Sequence, residues 1–296
     1  MITQEVLVQL LISATTQGCI YTFLALQFVI LYSITQIFNL AAGEFVMLGG
    51  LVSISLHQLG IPLPLAIIMA LLANCVIAAV AWFGFLHYSY SHRKPPLTLL
   101  LIVAVLALVI SGIAYLVWGT GPRNLPEFYP FSITIANVIL SSQDMIIWGV
   151  LLGVVVCFFL WLDHTLIGKA FRAVSERPLM TRLMGINPDF VAMISFVLTG
   201  LVGGIAGIIL APKIGIDYAM GIGLSTKGAL AAMLGGMDRA HGAILGGFFL
   251  GFAECFAGHF LSTEFMDVIS LSCLMVILFW WPEGIFGIRE ERYCRK

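Results

Sequence analysis

The stretch Gln36-Ile37-Phe38-Asn39-Leu40-Ala41-Ala42-Gly43-Glu44-Phe45-Val46-Met47-Leu48-Gly49-Gly50 places an amide and a carboxylate in a chain that is otherwise apolar from residue 6 to residue 86. A charge at the centre of a bilayer costs about 2.5–3.5 kcal/mol on insertion scales, so such a group faces a partner or a water-filled cavity. With Gly43 beside it and Gly49-Gly50 following, the stretch reads as a turn or a broken helix whose freed backbone groups polar side chains or a solute satisfy. Two roles for Glu44 stay open on this reading: lining a path through the membrane, or capping a helix and bonding to its neighbours.

Outward from this stretch, apolar runs recur along the whole chain. Of its 296 residues, 60% are hydrophobic and 10% charged, and mean hydropathy is +1.06. Soluble domains carry about 25% charged residues, so the composition excludes a soluble domain and points to an integral membrane protein. Apolar runs near 6–31, 34–58, 62–86, 97–118, 145–162, 190–212, 217–236, 241–260 and 266–282 predict an all-α polytopic bundle of 8–9 transmembrane helices, some broken or short. The second and seventh runs fit least well. The whole of 1–296 reads as one transmembrane domain, with an external loop at about 119–144.

Charge sets the expected topology. Arg93 and Lys94, then Lys169, Arg172, Arg177 and Arg182, then Arg239, and finally Arg289, Arg292, Arg295 and Lys296 fall on one face, leaving Arg123 and Lys213 opposite and Lys227 within a run. By the positive-inside rule that shared face is cytoplasmic, the N-terminus external and the C-terminus internal. Met1 to Glu5 hold no Lys or Arg ahead of the first run, so a cleaved signal is not expected.

Several chemistries find no support. Nothing matches Gly-x-x-x-x-Gly-Lys-Ser/Thr, and Thr226-Lys227-Gly228 has the wrong order. Cys19, Cys75, Cys157, Cys255, Cys273 and Cys294 show no paired spacing and read as small hydrophobes. The six histidines are scattered, so no metal site is expected, and no nucleophilic triad is visible. Lys227 and Glu254, both within apolar runs, read as a mutual pair or as snorkelling groups.

Small residues mark close helix contacts. Gly200 and Gly204, Gly203 and Gly207, Gly242 and Gly246, and Gly247 and Gly251 are small-xxx-small pairs that suit a tightly packed bundle, with a dimer interface as the alternative. Leu48-Gly49-Gly50 and Leu234-Gly235-Gly236 together raise the question of an inverted repeat. Between Asp163 and Asp189 lies an internal segment whose Phe171, Val174, Leu179 and Met180 give a short surface helix an apolar face, interrupted by Pro178. It either lies on the membrane or docks in a cytoplasmic partner.

Four groups of residues, in this order along nearly the whole chain, resemble the permease subunits of branched-chain amino acid ABC transporters, in particular the LivH-like half of a LivH/LivM pair. They are Asn39-x-Ala41-x-Gly43-Glu44 with Gly49; Gly168-Lys169-Ala170-x-Arg172-Ala173 with Gly185-Ile186-Asn187; Leu234-Gly235-Gly236 leading to Gly242-Ala243 and Gly246; and Pro282-x-Gly284-Ile285-Phe286-Gly287. The resemblance implies import of a small polar solute, branched-chain or other amino acids first, across the inner membrane by alternating access. Urea, short amides or aromatic acids are the alternative solutes, and a stand-alone channel or enzyme is the competing class.

The resemblance also implies that this chain is not an enzyme and holds no cofactor, with ATP and Mg on a separate ATPase. Its implied partners are a second, LivM-like permease, two cytoplasmic ABC ATPases, a periplasmic or lipid-anchored solute-binding protein and the bilayer, but no nucleic acid. Asn39, Ala42, Gly43 and Glu44 would lie on the solute pathway, Ala42 standing where relatives often carry His. Gly168, Lys169, Arg172, Glu176, Arg177, Leu179 and Met180 would form the ATPase-coupling segment, and Gly200, Gly204, Gly235, Gly236, Gly242 and Gly246 the helix-packing set.

Overall fold

Every apolar run forms a helix, because a chain in hydrocarbon satisfies its backbone polar groups only within itself. The computed structural model describes residues 4–92, 94–126, 128, 131–135, 138–237, 239–260, 266–281 and 284–285. In chain order the helices are α1 (Gln4–Thr35), α2 (Ala42–Gln58), α3 (Leu63–Ala81), α4 (His87–Ser91), α5 (Pro96–Trp118), α6 (Ser142–His164), α7 (Leu166–Glu176), α8 (Pro178–Leu183), α9 (Pro188–Leu210), α10 (Met220–Gly235), α11 (Ala240–Phe260) and α12 (Met266–Trp280). A π-helical turn, Trp82–Leu86, joins α3 to α4.

Among the described residues, six segments are long and apolar enough to cross a membrane by length and composition: Glu5–Thr35, Leu63–Ser91, Pro96–Trp118, Ser142–His164, Pro188–Leu210 and Ala240–Phe260. The remaining runs give shorter helices, α2, α10 and α12, of 17, 16 and 15 residues. At 1.5 Å per residue these measure about 22–26 Å, less than the ~30 Å of a bilayer core. Two of the three, α2 and α10, are the runs that fit least well as spans.

Element boundaries depart from the sequence expectation at three places. The break after the first run falls at 36–41 and not at 31–34, where Gln36 takes a left-handed φ of 55° and reverses the chain. The third run continues through the π turn to Ser91, since its polar residues keep helical backbone hydrogen bonds. The loop between α5 and α6 contains an antiparallel hairpin, β1 (Ser132–Ile135) with β2 (Val138–Ser141), in register Ser132 to Ser141. Ser141 then caps α6 by accepting from the Gln143 amide at 3.2 Å, so α6 starts earlier than hydropathy alone indicates.

The packing carries an inverted repeat. α1 packs along α11 as α9 packs along α3; α2 lies on α9 as α10 lies on α1; α2 lies on α3 as α10 lies on α11; and α2 touches α5 as α10 touches α12. Residues obey the same exchange. Gly18 meets Gly251 and Gly247 meets Thr22 on one side, while Gly200 meets Ala78 and Gly204 meets Asn74 on the other. Thr16 bonds Asp144, which pairs with Lys213 beyond the end of α9, whereas Gln27 lies against Gly203, so α1 and α9 are antiparallel.

The two Leu-Gly-Gly triplets do not mark this repeat. Gly50 rests on Gly207 of α9, and the glycine in the corresponding place on α10, against Leu24 of α1, is Gly228. Gly235 instead meets Gly242 of α11.

Outward faces of α3, α5, α6 and α12 are apolar, with Leu72, Leu116, Leu152 and Phe279 among their exposed residues, as contact with lipid requires.

Candidate functional site

The two short helices α2 and α10 begin side by side. After Gln36 the chain runs back into the bundle, and the Ser225 hydroxyl of α10 fixes where it restarts as helix. That hydroxyl accepts from the Gly43 amide and donates to the Leu40 carbonyl, both at 2.8 Å. Ser225 therefore satisfies one of the amide groups that a helix N-terminus leaves free. Gly43 and Gly221 face each other so closely that a methyl on either would overlap its neighbour.

Glu44 lies at this crossing. It is 0% exposed, neither carboxylate oxygen makes a geometric hydrogen bond among the described residues, and the carboxylate rests against Gly221 in the first turn of α10. Glu44 is also in the first turn of its own helix, α2. Its charge thus sits where two helix N-termini meet, each carrying about half a positive charge. Ser111 of α5 lies beside the carboxylate. Asn39, also 0% exposed, has neither side-chain polar atom partnered among the described residues. Buried polar atoms without partners are uncommon and call for an explanation; here Asn39 and Glu44 flank the start of α2 and Ser111 lies beside it.

All four sequence-stretch candidates, Asn39, Ala42, Gly43 and Glu44, are enclosed within the subunit. What sequence reading missed is their partners: Gly221, Ser225 and Ser111, together with Asn74. The Asn74 amide on α3 donates to the Phe45 carbonyl at 2.8 Å and to the Gly200 carbonyl at 3.1 Å, joining α2, α3 and α9. A lone amide in the apolar run of α3 is the signal that marks it.

A second polar cluster secures α10. Glu254 of α11 accepts from Tyr21 of α1, Ser270 of α12 and Lys227 of α10, the last at 2.5 Å, and Lys227 also pairs with Asp267 at 2.5 Å. Lys227 and Glu254 are therefore a mutual pair, as their setting indicated.

The packing glycines act inside the subunit. Gly200 and Gly204 receive α3, Gly203 and Gly207 receive α2, Gly235, Gly242 and Gly246 bring α10 and α11 into backbone contact, and Gly247 and Gly251 receive α1. Gly236 ends α10 with φ 99°. A dimer interface is thus not where these pairs are spent. Asp238, Arg93, Pro282 and the residues from Phe286 onward lie outside the described residues.

The segment 163–189 forms α7 and α8. Thr165 caps α7 by accepting from the Gly168 amide at 2.9 Å, and Asn187 caps α9 by accepting from the Asp189 amide at 3.0 Å. Gly168 lies on the backbone of Trp161 and Leu162, where a side chain would overlap. Phe171 and Val174 turn inward, and Phe171 packs edge-on to Phe158 and Trp161. Lys169, Arg172, Glu176 and Arg177 are exposed, with Arg172 bound to Asp163 at 2.5 Å. Met180, Leu183 and Met184 project from and beyond α8, Leu183 being 84% exposed. The Leu179 side chain lies outside the described residues.

Comparison with known proteins now adds to this geometry. Residues 10–278 match the family model described as "Branched-chain amino acid transport system / permease component". The high-affinity branched-chain amino acid transport system permease protein LivH of Escherichia coli (strain K12) is 27% identical over 295 residues, covering 95% of this chain and 96% of that protein. BraD, the corresponding permease protein of Pseudomonas aeruginosa, is 25% identical with the same coverage. Among solved structures, PsaBC from Streptococcus pneumoniae in complex with Fab shares the fold at TM-score 0.50, with 14% identity over 91% of each chain. A family model that spans the break before α2, the α7–α8 segment and the glycine-packed α9–α11 region leaves one assignment: this chain belongs to the branched-chain amino acid transport system permease components.

Proposed function

We propose that the chain is the LivH-like permease subunit of an ABC importer for branched-chain amino acids in the inner membrane, its N-terminus external and its C-terminus cytoplasmic. Urea, short amides and aromatic acids are not favoured, since the relatives matched over nearly their whole length are described as branched-chain amino acid permeases. The observation that carries the mechanism is the meeting of two short helices around a buried, unpartnered carboxylate. Discontinuous helices whose ends meet in the bundle are the usual construction of a transporter's solute site.

A LivM-like permease completes the path, two cytoplasmic ATPases supply the work, and a periplasmic or lipid-anchored protein delivers the solute. ATP and Mg are bound by the ATPases, and this chain holds no cofactor. The exposed apolar residues Met180, Leu183 and Met184, with Lys169, Arg172 and Arg177 beside them, dock into an ATPase groove, and Glu176 belongs to the same coupling segment. Closure of the ATPases moves α7 and α8, and the helices they support tilt against the partner permease. The path opens where α2 and α10 part, beside Asn39, Ala42, Gly43 and Glu44.

Reconstitution tests this. Liposomes containing both permeases and both ATPases should take up leucine, isoleucine or valine when given ATP and binding protein. A chain that is stable, monomeric and active in uptake with no ATPase or second permease bound would refute the proposal.

A further inference from the structure

A polar-rimmed cavity lies apart from the α2–α10 crossing. It lies between the ends of α1 and α6, helix α7 and the segment entering α11, and measures about 500 Å³, within the ~300–1,000 Å³ usual for small-molecule sites. Its inner wall is apolar and buried, formed by Ile30, Leu162 and Phe171. Its rim is exposed and carries both signs of charge, Glu176 on α7 and Arg239 just ahead of α11. Neither makes an ion pair among the described residues. His241 on the same rim packs at a tilt against Phe159 with ring centroids 4.6 Å apart.

A ligand that fits must be apolar at one end and carry a cation and an anion at the other. Glu176 accepts from an ammonium, Arg239 holds a carboxylate in its fork of donors, and a branched aliphatic side chain fills the wall. An anionic lipid headgroup suits the rim less well, because Glu176 and Asp163 offset Arg239 and Arg172.

We propose that this cavity is a regulatory site for free branched-chain amino acid on the ATPase side of the subunit; the ligand class and the sidedness rest on the function proposed above. A bound amino acid joins α7 to the start of α11 and to the end of α1. It thereby holds the ATPase-facing helix against the bundle and slows hydrolysis as imported solute accumulates. Such control requires only that the ligand bind the held state more tightly than the moving one.

The test uses the assembled transporter in liposomes, with binding protein present and amino acid added on the ATPase side. L-leucine should lower ATP hydrolysis, whereas 4-methylpentanoate and leucinamide, each lacking one of the two charges, should not. Arg239→Gln should raise the leucine concentration needed by about tenfold or more, the usual consequence of losing a charge-assisted hydrogen bond, without changing hydrolysis in the absence of free leucine. Ser33→Phe, which fills the cavity, should abolish the effect. Equal inhibition of wild type and both variants, or no inhibition of wild type, would overturn the site. Phosphatidylglycerol retained by wild type and lost from Arg239→Gln, with leucine inert, would also overturn it in favour of a lipid site. Uptake into vesicles without preloaded leucine is the separating control. If uptake itself fails, the transport function is wrong; if uptake is normal and feedback absent, only the regulatory site is wrong.

Discussion

Gly221→Ala probes the helix crossing at which Glu44 lies. A methyl at Gly221 falls on the Glu44 carboxyl group, whereas one at Gly223, two residues along the same helix, meets nothing within 4 Å. Both substitutions gain the same helix propensity, about 0.8–1.0 kcal/mol. Only the first adds the cost of overpacking, about 1–3 kcal/mol. The difference between the two variants therefore isolates the overlap, and Gly223→Ala should stabilise while Gly221→Ala destabilises or breaks even.

For a chain of 296 residues, an unfolding entropy of about 2.1 cal/mol/K per residue makes 1 kcal/mol worth roughly 1.6 °C. The two variants should then differ by about 2–5 °C in apparent Tm at one scan rate in detergent. In a Glu44→Ala background the overlap is gone, so the Gly221→Ala penalty should vanish, giving a coupling energy of about 1–3 kcal/mol in a double-mutant cycle. Equal shifts for Gly221→Ala and Gly223→Ala, or a Gly221→Ala penalty that survives Glu44→Ala, would refute the crossing as described.

Other consequences can be checked with the same preparation. Glu44→Gln should sharply reduce uptake and solute-stimulated ATP hydrolysis in liposomes; unchanged rates would remove its charge from the path. Lys227→Met strands Glu254 and should destabilise the fold by about 3–5 kcal/mol, with much of the loss recovered in Lys227→Met/Glu254→Gln, as followed by denaturant unfolding. Arg172→Glu faces Asp163 with a like charge and should uncouple ATP hydrolysis from uptake while membrane insertion stays intact; defective insertion would assign Arg172 to folding. Leu183→Glu should prevent co-purification of the ATPase without altering thermal unfolding of the permease, because Leu183 makes few contacts within its own chain.

Hydropathy and small-residue spacing made much of this fold legible. Long apolar runs have few outcomes in a bilayer, so α1, α3, α5, α6, α9 and α11 could be placed from composition. Helix ends were harder to read, because they depend on short-range bonds: Ser141 starts α6 early, and Gln36 stops α1 late. At the site, Asn39, Gly43 and Glu44 stood out because polarity in an oily run is conspicuous. Ser225 and Gly221 did not, since a serine and a glycine are ordinary in a small-residue helix.

The sequence by itself determined that this protein is a helical bundle in a membrane, that the runs forming α2 and α10 fit poorly as spans, and that residues 163–189 form a charged, amphipathic segment. Burial in hydrocarbon and helical periodicity are local properties, written in consecutive residues. Only the tertiary structure decided that α2 and α10 start against each other, that Glu44 lies between two helix N-termini, and that the repeat pairs Gly50 with Gly228 and not with Gly236. Those facts depend on which surfaces meet after the chain has turned back on itself, and glycines distant in sequence specify them only once their backbones are in contact.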